Sequence, residues 1–186
     1  EVDLITRRSD AIFHTIVGGG AEHLVLGEVP REATLLAHLQ RSFPSVLDVR
    51  LPRGGTCRYH LVVKARKTSE GEPKNIIMAA FGAHYDVKRV IVVDPDVDID
   101  DPDDVDWAVA TRFQADQDMI VVAGAQGSKL DPSAADGVSA KMGLDATKPL
   151  KVEPMAYRRI RTRGDADLAT ALRPDGSAVL RRWIAS

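Results

Sequence analysis

The clearest hydrophobic pattern in the chain is a run of four β-branched residues at positions 90–93, between Arg89 and Asp94. The run lacks the alternation of a half-exposed strand, so it predicts a strand covered on both faces, as in a parallel sheet. Residues 119–123 form a second apolar run of this kind. Between the two runs, residues 101–112 begin with an aspartate cap, a proline and further acids, which predicts a helix. Strand, helix and strand in this order predict a right-handed βαβ unit.

The part of the chain before this unit also shows amphipathic patterns. Leu35, Leu36, Leu39 and Phe43 fall on one face of a predicted helix over residues 31–43. Three further elements are predicted by the same criteria: strands at residues 46–51 and 58–64, and a helix at 74–81. We therefore expect an α/β fold in which a mostly parallel sheet is covered by helices on both faces, a Rossmann-like three-layer domain.

Three segments follow from these elements. We expect an extended segment at residues 1–27 and the α/β domain at residues 28–150. The remaining residues, 151–186, are expected to form a tail with short helices at 166–172 and 177–184. The sequence has no initiator methionine and begins on strand-like residues, so we expect the first segment to enter from an upstream domain missing from this chain.

Two glycine-rich regions interrupt the hydrophobic periodicity. The glycines at 18–20 predict a flexible turn; a phosphate loop is the alternative, but no Gly-Lys-Ser/Thr sequence follows them. Residues 124–149 are rich in glycine, serine, aspartate, proline and alanine, which predicts an irregular C-terminal arm that grips a neighbouring subunit.

Composition and charge narrow the class of protein. Of the 186 residues, 44% are hydrophobic and 28% charged, which is enough to bury a core. The net charge of −2 argues against a general nucleic-acid-binding protein. The single cysteine, Cys57, excludes an internal disulfide and favours a reducing, cytoplasmic location. No apolar run approaches the roughly 18 residues that span a bilayer, so no membrane span is expected.

Aspartates are concentrated between positions 94 and 106, and two readings of this cluster stay open. Alternating acids at 94–100 resemble a calcium loop, but neither possible register has glutamate at the twelfth position. The alternative is that the later acids cap the helix and the earlier ones keep a loop hydrated. Asp94 also ends a strand, where a dinucleotide-binding protein places its ribose-binding acid, but only Gly82 precedes it where a glycine-rich turn is needed.

Among the titratable residues, His84 is the most promising candidate for a binding site. It lies in a polar loop, Gly82-Ala83-His84-Tyr85-Asp86, which leads directly into the buried strand. The other four histidines are scattered and form no metal-ligand pair with each other or with cysteine. Cys57 has no neighbouring base in the sequence, which indicates a structural thiol.

Several short sequences, taken in order, resemble the C-terminal domain of UbiD-family decarboxylases. The sequences that carry the resemblance are Thr6-Arg7-Arg8-Ser9-Asp10-Ala11-Ile12-Phe13, Gly82-Ala83-His84, Lys88-Arg89-Val90-Ile91-Val92-Val93-Asp94, Asp103-Asp104-Val105-Asp106-Trp107-Ala108-Val109-Ala110-Thr111-Arg112, Leu130-Asp131-Pro132-Ser133-Ala134 and Lys141-Met142-Gly143-Leu144-Asp145-Ala146-Thr147. Each sequence alone is weak, but their order and spacing make the set specific over residues 1–150.

The resemblance implies reversible decarboxylation of aromatic, heteroaromatic or α,β-unsaturated carboxylic acids. It implies prenylated FMN as cofactor, with manganese and potassium, in the full enzyme. The family's catalytic group, cofactor-binding domain and metal ligands precede the segment that matches this chain, so we expect no catalytic residue here. We also expect the isolated chain to be inactive and to bind no cofactor or metal alone.

The resemblance further implies a role for the loop that precedes the buried strand. His84, Tyr85 and Asp86 are expected to form part of the substrate pocket, and residues 131–147 to help join subunits of a homo-oligomer that is at least a dimer. Some family members place a basic residue near Gly82 for the cofactor phosphate, and this chain has glycine there. Two other classes of protein stay open: a non-catalytic homo-oligomerisation module and a small-ligand Rossmann-like binding domain.

Overall fold

The structure is a computed structural model that describes residues 2–153 and 155–158. A five-stranded sheet has the order β1-β2-β3-β5-β4. Its strands are β1 Val46–Arg50, β2 His60–Ala65, β3 Arg89–Val93, β4 Met119–Gln126 and β5 Val138–Ala146. The helices are α1 Ala21–Ser42, α2 Glu72–Ala83, α3 Pro102–Arg112 and the single turn α4 Ala115–Asp118; a short 3-10 turn lies at Arg53–Gly55.

The sheet is mixed, which corrects the expectation of a mostly parallel one. Strand β3 is parallel to both of its neighbours, β2 and β5, whereas the outer pairs β1–β2 and β4–β5 are antiparallel. The connections from β1 to β2 and from β4 to β5 are too short for a crossover, so each pair must be antiparallel.

Helices cover both faces of the sheet, as the three-layer prediction required. On one face, α1 and α2 pack through Leu39, Ile76 and Ile77 against alternate residues of the central strands. On the other face, α3 packs through Val105 and Ala108. All four residues of the β-branched run in β3 are buried, because successive side chains of this central strand enter opposite layers.

The second predicted buried strand, and with it the predicted βαβ unit, is wrong. Strand β4 does not pair with β3 but lies antiparallel to β5 at the edge of the sheet, with its side chains largely exposed. Strand β5 occupies the place beside β3 and lies inside the segment predicted as an irregular arm. The amino-acid composition of β5 did not indicate a strand, since Gly143 and the charged Lys141 and Asp145 are unusual for a buried strand.

Helix α1 is longer than the sequence predicted. It begins at Ala21, so the last seven residues of the expected extended segment 1–27 are helical and Pro30 lies inside the helix. Proline removes one helix hydrogen bond, but the flanking side chains Glu28 and Arg31 form ion pairs with other parts of the fold. Tertiary contacts therefore support a helix that local propensity alone did not indicate.

The chain divides into two compact units, Glu1–Lys151 and Val152–Ser186. The sheet and all named helices lie in the first unit. The helices predicted at 166–172 and 177–184 fall outside the described residues. Within the described part of the chain, no helix combines the length and the apolar character that crossing a membrane requires.

Candidate functional site

The loop of residues 84–86, called here the His84 loop, connects α2 to the buried strand β3. Helix α2 ends at Ala83, and His84 leaves it in an extended conformation. The His84 and Tyr85 rings stack with their centroids 5.1 Å apart, and His84 Nδ1 accepts a hydrogen bond of 3.2 Å from the backbone N–H of Asp86. Tyr85 is 50% exposed whereas Asp86 is 3% exposed, so only the first two side chains are positioned to meet a ligand directly.

The carboxylate of Asp86 lies between two arginines from distant parts of the chain. Its Oδ2 atom is 3.4 Å from Nη1 of Arg58, which precedes β2, and 3.8 Å from Nη2 of Arg31 on α1. Its Oδ1 atom is buried and has no hydrogen-bond partner among the described residues. The predicted pocket residue Asp86 therefore faces inward, and two partly exposed arginine side chains meet at its carboxylate.

Lys141 on β5 forms hydrogen bonds with the backbone of the same loop. Its ammonium group donates hydrogen bonds of 2.7 Å to the carbonyl oxygen of Tyr85 and 2.6 Å to that of Val87. It also lies over the Phe81 ring, 5.7 Å from the centroid. Burial lowers the pKa of Lys141, and the nearby Asp86 carboxylate opposes this effect. A buried lysine that satisfies two carbonyl groups fixes the backbone on both sides of Asp86.

The electrostatic surroundings of His84 are mainly positive. Burial lowers the pKa of His84; Asp86 raises it, while Arg31, Arg58 and Lys141 lower it further. His84 is therefore mainly neutral near pH 7. Arg31, Arg58 and Lys141 are called here the cationic cluster. Sequence reasoning missed all three, because they come from α1, the segment before β2 and β5, and no local pattern distinguishes them from ordinary surface cations.

The loop between β4 and β5 is linked by an ion pair to Lys88, which follows the His84 loop. Lys88 Nζ lies 2.7 Å from Oδ2 of Asp131 and 2.5 Å from Oγ of Ser133. Hydrogen bonds from Lys88 and Ser133 lower the pKa of the Asp131 carboxyl group to about 2. The neighbouring Leu130 is largely exposed. The ion pair therefore links the segment leading into β3 with the loop between β4 and β5.

The described residues also form a cavity of about 670 Å³ that does not include the His84 loop. It lies between α1, the 3-10 turn and α3, and His60 and Arg89 are among its polar lining residues. Burial, Arg89 and Lys88 lower the pKa of His60 to about 4. A side chain at Gly55 would collide with the His60 ring, so this glycine allows the histidine its position.

The acidic loop is neutralised by side chains of the chain itself. The Arg112 guanidinium group, which is fully buried, lies 2.8 Å from Asp94 and 3.0 Å from Asp96, and Lys148 lies 2.9 Å from Asp96. Asp101 accepts a hydrogen bond from the N–H of Asp103 and so caps α3. These contacts support the expected capping role of the later acids over a calcium loop, whereas Asp94 and Asp96, expected only to keep the loop hydrated, form ion pairs.

The part of the chain that the structure describes contains neither a metal-binding group of side chains nor a cysteine suited to nucleophilic catalysis. No group of three histidine, cysteine, aspartate or glutamate side chains there is arranged to hold a metal ion. Cys57 is buried, and burial together with Glu28 raises its pKa to about 11. This thiol is suited to packing and not to nucleophilic attack.

Comparison with known proteins identifies the family of this α/β domain. The profile of the 3-octaprenyl-4-hydroxybenzoate carboxy-lyase C-terminal domain matches residues 24–146. The chain therefore belongs to the UbiD C-terminal domain family, which confirms the resemblance found in the sequence.

Three relatives show how far this similarity extends. An anhydromevalonate phosphate decarboxylase of Aeropyrum pernix is 53% identical over 151 residues, 81% of this chain and 34% of that protein. A gallate decarboxylase of Lactiplantibacillus plantarum is 34% identical over 172 residues, 85% of this chain and 35% of that protein. The UbiD-class enzyme HmfF from Pelotomaculum thermopropionicum, solved with FMN, is 47% identical with a TM-score of 0.81, covering 89% of this chain and 38% of HmfF. An evolved dimeric form of HmfF was solved with prFMN. The chain thus spans about a third of the length of its relatives.

Proposed function

We propose that this chain is the C-terminal domain of a UbiD-type decarboxylase and forms one wall of its substrate site with the His84 loop. The observation that carries the proposal is the stacked pair of the half-buried His84 and the exposed Tyr85, whose backbone is held by Lys141. Aromatic, heteroaromatic or α,β-unsaturated carboxylic acids are the substrate class. The catalytic residues belong to the remaining two thirds of the protein, so this chain alone is inactive.

The cofactor of the proposed enzyme is prenylated FMN, with manganese and potassium. FMN and prFMN are bound in the solved HmfF structures. The family resemblance places the cofactor and metals in the other part of the protein, where the cofactor would provide the electron sink for loss of CO2. This chain would bind and orient substrate against it.

The relatives favour a phosphorylated unsaturated acid as substrate. The relative that is 53% identical decarboxylates anhydromevalonate phosphate, whereas the gallate decarboxylase is only 34% identical. A substrate of the former kind carries a phosphate group in addition to the carboxylate that is lost. The excess of positive charge around His84 is suited to such a substrate.

The test is a decarboxylation assay on the complete polypeptide reconstituted with prenylated FMN and manganese. Replacing His84 with glutamine should reduce turnover at least tenfold and lower the unfolding midpoint only slightly, because His84 forms no ion pair among the described residues and loses only one hydrogen bond and the stacking on Tyr85. His38, an exposed histidine on α1, is the matched control for the same replacement. Unchanged steady-state constants in His84→Gln would exclude the proposed role of this loop.

A second candidate function is homo-oligomerisation, and the exposed edge of the sheet supports it. Among the described residues, one edge of strand β4 is unpaired, and Val121 is 60% exposed; Met119 and Val122 are also exposed on this strand. Unpaired apolar edge strands are suited to association with another chain. Residues 131–147, expected from the resemblance to join subunits, include the interior strand β5, so the edge strand β4 is the better candidate for the contact.

Light scattering coupled to size exclusion would test this second function. Val121→Lys should convert a dimer or larger assembly to monomer, while Met78→Lys, an exposed apolar position on α2, should leave the assembly intact. A wild-type monomer at micromolar concentration would argue against it. The cytoplasmic location and the small-ligand binding alternative both stay predictions from the sequence.

A further inference from the structure

We propose that Arg31 and Arg58 bind the phosphate group of the substrate, and so determine the preference of this enzyme for a phosphorylated acid. This inference rests on the proposed function and goes further by assigning the phosphate to named residues. Both arginines lie beside the His84 loop and contact the same carboxylate, that of Asp86. Their side chains are 25% and 23% exposed, so both are accessible to a ligand.

The contacts of the two arginines with Asp86 leave most of their donors unused. Each contact involves one nitrogen, at 3.8 Å for Arg31 and 3.4 Å for Arg58. Charge-assisted hydrogen bonds are usually about 2.7–2.9 Å long, and a paired guanidinium group commonly binds a carboxylate through two nitrogens. Neither arginine has another ion pair within the described residues. Their remaining N–H groups are therefore free to bind a second anion.

The charge balance of the site also calls for an anion. Among the described residues that act on the charge of His84, Arg31, Arg58 and Lys141 contribute three positive charges, and Asp86 contributes one negative charge. Partly buried cations without a counter-charge are unfavourable. A phosphate monoester carries about −1.5 to −2 charges near pH 7 and has three acceptor oxygens. The phosphate would neutralise the excess positive charge and accept hydrogen bonds from both guanidinium groups. A single carboxylate has fewer acceptor oxygens and less charge, so it could do this only in part.

Asp86 and Lys141 act as positioning residues in this arrangement. Asp86 draws the two arginines together from different elements, since Arg31 lies on α1 and Arg58 before β2. Lys141 fixes the backbone that carries Asp86 through the carbonyl groups of Tyr85 and Val87. The rigid core of the domain thus sets the spacing of the two guanidinium groups before any ligand arrives.

A flavin cofactor carries the same chemical group, so the experiment must separate substrate phosphate from cofactor phosphate. The complete enzyme would be assayed with anhydromevalonate phosphate and with its dephosphorylated analogue, and FMN affinity would be measured separately. Arg58→Gln and Arg31→Gln should each lower kcat/KM for the phosphorylated acid at least 30-fold, mainly through KM. The dephosphorylated analogue and FMN affinity should change less than threefold. Arg53→Gln, which replaces an exposed arginine outside the ion pairs, is the matched control.

Three results would overturn the inference. Equal losses with both acids would indicate a merely structural role, and an equal loss of FMN affinity would assign the arginines to the cofactor. A wild-type enzyme that decarboxylates acids without preferring the phosphorylated one would overturn the inference while leaving the proposed function intact. If no acid is decarboxylated, the proposed function fails. The phosphate site can then still be tested by calorimetry, which measures the affinity of the wild type and of Arg58→Gln for anhydromevalonate phosphate. A 30-fold lower affinity of Arg58→Gln would support the site, and equal affinity would refute it.

Discussion

The ammonium group of Lys141 lies 2.7 Å from the backbone carbonyl oxygen of Tyr85, which is 56 positions earlier in the chain. A second hydrogen bond to the carbonyl of Val87 completes the contact. Through this one buried side chain, the interior strand β5 fixes the conformation of the loop that precedes β3. The candidate site therefore depends on a residue that lies in the sheet and not in the loop.

Replacing Lys141 with methionine should destabilise the chain by about 2–4 kcal/mol, because two buried carbonyl groups lose their donor. Methionine keeps most of the side-chain volume, so a cavity is not the cause. Urea unfolding of the purified chain would measure the effect. The same replacement at the exposed Lys151 should change the free energy of unfolding by less than 0.5 kcal/mol, as is usual at surface sites. Equal, small effects at both positions would contradict the assigned contact.

The ion pair between Asp131 and Lys88 should make stability depend on pH in the acid range. The pKa of Asp131 is about 2 in the folded chain and 3.8 ordinarily, so the unfolded state binds this proton more tightly. The stabilisation is present above about pH 4 and is lost as the pH falls towards 2. Because Lys88 is partly exposed, we expect about 1 kcal/mol after screening by solvent.

Unfolding of the wild type and of Asp131→Asn between pH 2 and 6 would show this dependence. The difference in unfolding free energy between them should be constant above pH 4 and should shrink towards pH 2. A difference that does not vary over this range would show that the carboxylate charge contributes nothing. Asp136→Asn, an exposed aspartate in the same loop, is the control.

Gly143 should tolerate no side chain, because a Cβ atom there would collide with Cγ2 of Ile77 on α2. Gly143→Ala should destabilise the chain by about 1–3 kcal/mol through overpacking. The double variant Gly143→Ala with Ile77→Ala should be more stable than the sum of the two single losses predicts, since the collision is removed. Strict additivity in thermal or urea unfolding would refute this account of close packing between α2 and β5.

The buried guanidinium group of Arg112 should be essential to the acidic loop. Its side chain is fully buried between Asp94 and Asp96, and Arg112→Met would leave the buried Asp94 without its main counter-charge. We expect a loss of about 3–5 kcal/mol, as for other broken buried ion pairs. Arg41→Met, at an exposed position near the end of α1, should have little effect. A small effect at both positions would mean that solvent compensates for the lost ion pair.

The strongest local patterns were enough to predict several elements. The apolar run of β3 and the capped start of α3 specify their own secondary structure, because strand burial on both faces and helix capping are each written in consecutive residues. Helix α2 was predicted over its central residues 74–81 from their apolar pattern. The family resemblance supplied the loop at His84, although the composition of that loop distinguishes it only weakly.

Tertiary structure alone decided the order of the strands and the composition of the site. Strand β4 resembles a buried strand in sequence but lies at the exposed edge, and β5 resembles a loop but lies inside the sheet. The sequence determined the central strand and the capped helix α3, since each depends on neighbouring residues, whereas the role of the His84 loop stays a prediction from the family resemblance. Which cations surround His84 was decided by packing, because Arg31, Arg58 and Lys141 are far apart in the chain and meet only when α1, the segment before β2 and β5 converge on Asp86.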